Sequence, residues 1–426
     1  MSEEFAGRLL PVLDEIVERF GTPFHVYDET GIDENCRSYL DAFAGTDFRE
    51  YFAVKGLPNP TLLRLVTRHG FGLDASSPTE LEIADRTGVS GDGICFTSNN
   101  TSDAELAAAL ERGAIVTADD LSVLRALARQ PVTPGHLALR IHPSAAGTDV
   151  ESRLGSAESS KFGIVRADVG EAVRLAMATG TARIGLHMML GSGLMSTEPF
   201  LRTLDVLLDV ADEIRRDTGV EVASVNLGGG VGVAYHPDEP PFDLAGLGRA
   251  ATDRLAEWER VTGLRRPRLQ MECGRQVTGP HGVLVTRVLH RMHKTRTVIG
   301  VDGGMNCLIR PGMYGAYHHV SVHGGEDRPV ERADVVGSLC ENNDKLAVDR
   351  PIPRADVGDL VIAHDTGAHG WSMAFTYNGR LRPQELLLHR DGSVSRVRRA
   401  ETVDDYLATL DCASDRIRPR PAVPAP

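Results

Sequence analysis

"YFAVKGLPNP", residues 51–60, places a lysine at the end of an apolar run and just before a glycine and two prolines. Tyr51, Phe52, Ala53 and Val54 read as a buried strand, with Lys55 at its mouth. Lys55 is one of only four lysines, with Lys161, Lys294 and Lys345, among the 46 lysines and arginines of the chain. A lysine kept for solubility alone belongs on a polar helix face. One at the mouth of an apolar strand either snorkels to water or does chemistry with a lowered pKa. Position alone leaves both readings open.

The surrounding pattern decides the fold class. From residue 50 to about 275, short apolar runs alternate with helical periods: "YFAVKG", "FGLDA", "ICFTS", "AIVTA", "LALRI", "RIGLHMML", "SVNLGGG" and "LQMEC". Between them lie segments such as "FLRTLDVLLDVADEI", in which Leu201, Leu204, Leu208 and Ala211 form one stripe at helical spacing. "NNTSDAEL" offers a Ser/Thr cap with acidic residues in the first turn. Eight strands with crossover helices in this length predict an α/β fold with a (β/α)8 barrel. An open doubly wound sheet is the alternative, but no G-x-G-x-x-G opens a first helix.

After residue 280 the texture becomes β-rich: "GVLVTRVLHRM", "TVIGVDGG", "HHVSVHGG", "RADVVGSLC", "GDLVIAHDTG" and "QELLLHRDGSVSRV", the last with an Asp391-Gly392 turn. This predicts a mainly antiparallel β-domain, a sandwich or barrel, completed by the early strand "TPFHVYD". The expected boundaries are an N-terminal segment 1–28 that joins the β-domain, a barrel over 29–280 and a β-domain over 281–412. The Pro-rich stretch 413–426 is expected to be a disordered tail.

Composition narrows the function classes. A net charge of −13 without a basic run speaks against nucleic acid and anionic membranes as partners. No apolar stretch is long enough to span a bilayer. The six cysteines, Cys36, Cys95, Cys273, Cys307, Cys340 and Cys412, form no C-x-x-C pair, as expected of a cytoplasmic protein. His318, His319 and His323 resemble a metal cluster, but neighbours in a strand point to opposite faces, so no metal is expected.

In such a barrel, chemistry sits where the strands end. Lys55 ends the first strand and Asp74 the second. His187 and Ser192 follow the sixth, Gly228, Gly229 and Gly230 the seventh, and Glu272 with Arg275 the eighth. Each has a bland reading: three glycines make a tight turn, and Glu272 could pair with Arg275 on the surface. Together they match the needs of pyridoxal 5'-phosphate, which wants an amine for its aldehyde, backbone N–H groups and an arginine for its phosphate, and a partner for its ring nitrogen.

These motifs carry a resemblance. "FAVKGLPNP", "SSKFGI" (159–164), "GLHMMLGSG", "NLGGGVGV", "ECGR", "GMNCLIRPGMYGAYH", "LCENND" and "YNGRLRPQEL" follow the order found in the group-IV pyridoxal-phosphate decarboxylases of the alanine-racemase-like fold. The likeness runs from about residue 20 to 390 and is strongest to diaminopimelate decarboxylase. It implies that Lys55 bonds the cofactor aldehyde and that Ser192, Gly228, Gly229, Gly230, Gly274 and Arg275 lie about the phosphate. It further implies that Glu272 pairs with the pyridine nitrogen, with Asp74, His187, His369 and Tyr377 nearby. Cys340 and Glu341 would complete the partner subunit's active site in a head-to-tail homodimer, with Cys340 or Lys55 returning a proton to the α-carbon. Arg310 and Tyr314 match positions that grip a distal carboxylate, and Arg275, Glu341 and Asn342 are further candidates to face the substrate.

The departures concern the substrate more than the chemistry. Met189 stands where the family has the histidine that stacks on the cofactor. His369 stands for a tyrosine, Asn342 for a serine and Cys273 for a proline. The resemblance implies α-decarboxylation of an amino acid, meso-diaminopimelate to L-lysine. The alternative is another amino acid with a distal carboxylate or polar end, from a specialised pathway. An amino-acid racemase would favour arginine at the ring nitrogen, against Glu272. A catalytically inactive regulatory relative would not need Lys55, Cys340 and Glu341.

Overall fold

The computed structural model describes residues 1–146, 151–152, 155–156 and 160–410. The C-terminal tail, Cys412 and Ser159 of the "SSKFGI" motif lie outside the described residues. A first strand, β1 (Phe24–Asp28), is followed by eight that close into a parallel barrel. These are β2 (Phe48–Ala53), β3 (Gly72–Ala75), β4 (Ile94–Phe96), β5 (Ile115–Ala118), β6 (Leu137–Arg140), β7 (Ile184–His187), β8 (Val222–Asn226) and β9 (Arg268–Met271). Each pairs with its sequence neighbour, and β9 closes on β2 through Leu269 opposite Phe48. All eight predicted runs supply a barrel strand, so the open-sheet alternative falls.

The crossover helices form where capping and periodicity agree. Ser102 accepts from the Glu105 amide and Glu105 reaches back to Ser102, a capping box that starts helix Asp103–Glu111. Helix Glu198–Thr218 buries Phe200, Leu204, Leu207, Leu208, Ala211 and Ile214 in the barrel's outer core and ends at Gly219. Gly219 has φ +75°, a left-handed cap that suits glycine.

The second sheet is mainly antiparallel. Its long strand β10 (Gly282–His293) pairs with β1 (Phe24 opposite Val285), with β11 (Thr297–Val301) and, after the short β12 (Val320–Val322), with β15 (Leu360–Ala363). β13 (Val330–Val336) runs parallel to β11 and antiparallel to β14 (Lys345–Pro353). β16 (Gln384–Leu388) lies parallel to β1 and turns through Asp391-Gly392 into β17 (Val394–Arg398). Sequence reasoning missed β14 because of Pro351 and Pro353. It is an edge strand, where a residue that cannot donate is tolerated. Helices Glu3–Leu9 and Leu13–Phe20 seal the sheet, burying Phe5, Leu9, Leu13 and Ile16 against Val283, Val285 and Leu386.

Candidate active site

Lys55 does not end its strand as expected but lies two residues past it. β2 ends at Ala53, and Lys55 sits in the 3-10 turn Val54–Gly56 at the barrel mouth. Its side chain is 54% exposed, and Nζ stands 3.6 Å from Asp74 Oδ2 at the end of β3. The expected choice between a snorkelling lysine and one with a lowered pKa is resolved otherwise. The pKa is raised, first by the Asp74 carboxylate and further by Glu272, against desolvation. Asp74 is almost fully buried and is pushed up to about 7, by burial first and then by Glu272, while Lys55 pulls the other way.

Glu272 does not pair with Arg275. Its Oε2 lies 3.2 Å from His187 Nε2, and its Oε1 accepts from Asn226 Nδ2 at 2.9 Å and Thr97 Oγ1 at 3.3 Å. Burial pushes this carboxyl up, but His187, Lys55 and Arg140 outweigh it and hold it well below the usual range. Glu50, beneath it on β2, goes the other way: burial raises it well above a normal carboxyl, and its Oε1 accepts from the Cys273 amide at 2.5 Å. Two neighbouring carboxyls are thus driven apart, and Glu272 carries the charge. Sequence reasoning missed Glu50, Asn226, Thr97 and Arg140. Asn226 sits directly before "LGGG", a signal that was available.

The glycine turn is a cradle and not merely a bend. Asn226 Oδ1 accepts from the Gly228 amide at 2.9 Å. A Cβ on Gly229 would stand 2.2 Å from the Glu272 carbonyl oxygen, and one on Gly230 2.1 Å from that of Gly191. Gly228 and Gly230 have φ of +66° and +105°, so close approach and backbone geometry both require glycine there. Ser192 adjoins Gly230, Met189 packs on Gly228, and Gly274 lies against Ala53, the last residue of β2.

A cationic group faces this rim. Arg275 Nη1 donates to the Tyr235 hydroxyl at 3.2 Å, and the Arg310 guanidinium lies 4.7 Å from the centre of the Tyr235 ring. Arg310 is buried, and its Nη1 is 2.7 Å from His318 Nε2. His369, at φ +57°, donates its amide to the Gly56 carbonyl at 2.9 Å, beside Lys55. Burial, with Arg275, Lys55 and Arg310, lowers its ring to about 3, so it is neutral. Tyr235 and His318 were not among the expected site residues.

The remaining expected residues are exposed on the β-domain. Cys340, Glu341 and Asn342 occupy the loop between β13 and β14, and Tyr314 and Tyr377 are 60% and 53% exposed. Asn378 Oδ1 accepts from the Cys340 amide at 2.7 Å, while Glu341 Oε1 accepts from Asn343 at 2.9 Å. Buried Asp344 takes the amides of Met305 and Leu339, which fixes the base of the loop.

The family model described as pyridoxal-dependent decarboxylase, pyridoxal binding domain, matches residues 29–279. The chain belongs to the pyridoxal-dependent decarboxylases. It is 46% identical over 410 residues to Protein TabA of Pseudomonas amygdali pv. tabaci, covering 96% of each chain. It is 37% identical to the diaminopimelate decarboxylase of Methanothermobacter thermautotrophicus, covering 92% of each. The crystal structure of diaminopimelate decarboxylase from M. jannaschii in complex with L-lysine superposes with a TM-score of 0.86 at 28% identity, covering 94% of each chain.

The decarboxylase site fits pyridoxal phosphate. An amine stands at the barrel mouth, an ionised carboxylate is held by three donors, and the glycine cradle admits no side chain. Asp74 Oδ1, His187 Nδ1 and Arg140 Nε are buried without a hydrogen-bond partner, polar groups that a bound polar cofactor could satisfy.

Proposed function

We propose that this decarboxylase acts on meso-diaminopimelate to give L-lysine. The observation that carries the substrate is the convergence of Arg275 and Arg310 on Tyr235 beside the Lys55–Glu272 site. Two guanidiniums in a partly dry pocket match a carboxylate and repel an ammonium. Relatives at 35–37% identity named diaminopimelate decarboxylase support the same reading.

Lys55, Glu272, the cradle Gly228, Gly229 and Gly230, Ser192, Gly274 and Arg275 would hold the cofactor, with Asp74, His187, Met189, His369 and Tyr377 around it. Bound pyridoxal phosphate supplies a sink for the electron pair left when carbon dioxide departs. Glu272 would favour a protonated ring nitrogen on the cofactor, because an anion fixed by His187, Asn226 and Thr97 stabilises a cationic partner. Lys55 reacts only as the free amine, and the Asp74 carboxylate 3.6 Å away favours its ammonium form, so it sets the pH at which the amine becomes free. Arg310 grips the distal carboxylate and so presents the opposite end of the substrate to Lys55. Cys340 or Lys55 returns a proton to the α-carbon.

Cys340 and Glu341 serve the partner's site in a head-to-tail homodimer. Their exposure in a braced loop supports this. A cytoplasmic setting is supported by free thiols at all five described cysteines. Among the described residues no helix is long and apolar enough to cross a membrane.

A second reading has its own observations. Met189 against Gly228 supplies sulfur where the family has a histidine, and neutral His369 stands beside Lys55. Together with the 46% relative, whose name states no substrate, they favour a different amino acid with a distal carboxylate. Carbon dioxide release from a panel of meso-diaminopimelate, other dicarboxylic amino acids, lysine and ornithine tests both. Preferred turnover of diaminopimelate upholds the first reading, and preference for another dicarboxylic amino acid the second. Faster turnover of lysine or ornithine overturns both.

A further inference from the structure

His318 is fully buried, and both its ring nitrogens are engaged. Nδ1 lies 2.7 Å from the His364 carbonyl oxygen and Nε2 lies 2.7 Å from Arg310 Nη1. A carbonyl only accepts, so Nδ1 carries the proton. A guanidinium only donates, so Nε2 offers its lone pair. Burial first, and then the Arg310 charge, lowers the ring to about 3, so it stays neutral at working pH. One protonation state and one tautomer satisfy both contacts.

Tyr235 ties this pair to the rest of the clamp. Its ring meets His318 edge to face, with centroids 4.9 Å apart at 64°. The same ring lies under the Arg310 guanidinium, and its hydroxyl accepts from Arg275. Arg310 is therefore fixed at one nitrogen by an acceptor and over one face by a ring, while Arg275 meets the same tyrosine at its hydroxyl. A guanidinium held in this way has lost its rotational freedom before any ligand arrives, which favours binding.

We propose that His318 and Tyr235 are positioning residues for substrate selection: His318 orients Arg310, and Tyr235 spaces Arg310 from Arg275, so that the pair reads a distal carboxylate. The inference rests on the carboxylate-clamp reading given under the proposed function. Neither residue is needed for the bond-breaking step, so their loss acts on recognition before turnover.

The test compares His318→Asn with His318→Gln. Asparagine can keep a donor near the Nδ1 position but offers nothing at Nε2, whereas glutamine can place an amide oxygen there. His318→Asn should raise KM for meso-diaminopimelate roughly tenfold or more, the cost of a buried donor left without its partner. The value of kcat should change less, the inhibition constant of lysine, which keeps the distal carboxylate, should rise along with KM, and that of 1,5-diaminopentane, which has no carboxylate, should stay near that of the wild type. His318→Gln should recover most of the loss, and Tyr235→Phe, which keeps the ring and frees Arg275, should fall between. An unchanged KM in folded His318→Asn overturns the inference, as does a His318→Gln variant no better than His318→Asn. A wild type indifferent to distal carboxylates would overturn the substrate reading, and nitrogen-15 NMR of the wild type then judges the contact directly. Nε2 should resonate as an unprotonated acceptor at neutral pH and shift in Arg310→Ala. A protonated Nε2 overturns the inference whichever amino acid is turned over.

Discussion

Lys55, Asp74, His187 and Glu272 lie on or directly after four barrel strands, whereas Arg310, His318 and His369 come from the β-domain and meet Arg275 and Tyr235 only in the fold. The first group is dominated by carboxylates around one amine, and the second by guanidiniums around neutral rings. The two halves differ in how they are built. The rim chemistry is set by strands whose ends must gather once the barrel closes. The clamp depends on how a second sheet docks against the barrel loops. In the proposed function, the first half sets the reaction type and the second selects the substrate.

The hardest test of that division removes the amine. Lys55→Ala should lose all turnover, together with the visible absorption band that pyridoxal phosphate gives the wild type and that borohydride bleaches. A wild type that cannot be given this band would break the assignment of the rim to the cofactor. The clamp is tested next. Arg310→Ala strands a desolvated carboxylate, which typically costs about 2–5 kcal/mol, or roughly thirty- to several-thousand-fold in kcat/KM. The absorption band should be unaltered. If the variant loses the band as well, the two halves are not separable as described.

The division also explains what could be read from the chain alone. Lys55, Asp74 and Glu272 each end a recognisable apolar run, and a parallel barrel leaves strand ends only one place to go. "LGGG" was legible as a phosphate-sized turn, although the clash of any Cβ on Gly229 with the Glu272 carbonyl is a tertiary fact. Tyr235 lies in a loop and His318 just before a three-residue strand, with no periodicity to mark either. Arg310 and Tyr314 were expected to act together. In the fold Arg310 is buried against Tyr235 and His318, whereas Tyr314 is 60% exposed on the same short helix. The pKa of Lys55 was beyond sequence reasoning, because its direction depends on a carboxylate 19 residues away by number and 3.6 Å away in space.

A third test asks whether the exposed loop belongs to a neighbouring copy's site. Lys55→Ala and Cys340→Ala homodimers, each inactive or nearly so, should regain activity after mixing and subunit exchange. In each mixed dimer one site would hold both intact residues, so random exchange should yield about a quarter of the wild-type rate. No recovery, with exchange shown independently, would remove Cys340 from the partner's site and leave the rim and clamp as the whole machinery.

The smallest expected effect concerns the strain within the carboxylate half. Asp74 is buried, and its pKa is raised from 3.8 to about 7 by burial first and by Glu272 next. A carboxyl raised on folding binds its proton more tightly in the native state than in the unfolded chain. Linkage then makes native stability fall as pH rises from about the unfolded value towards 7, with the loss complete above it. The Lys55 ammonium moderates this without reversing it, since its own pKa is moved upward from 10.5 and so outside this window. Asparagine at position 74 cannot ionise, so the cofactor-free Asp74→Asn protein should gain on the wild type in Tm between pH 5 and pH 8. Asp302 is common to both proteins and cancels in the difference, whereas Glu50, raised in part by Asp74, is relieved by the substitution and shifts the difference in the same direction. The same substitution removes the largest influence raising Lys55, so the amine should combine with pyridoxal phosphate at lower pH than in the wild type. A Tm difference independent of pH would mean that Asp74 keeps an ordinary carboxylate pKa. The rim would then hold its lysine through a relaxed ion pair.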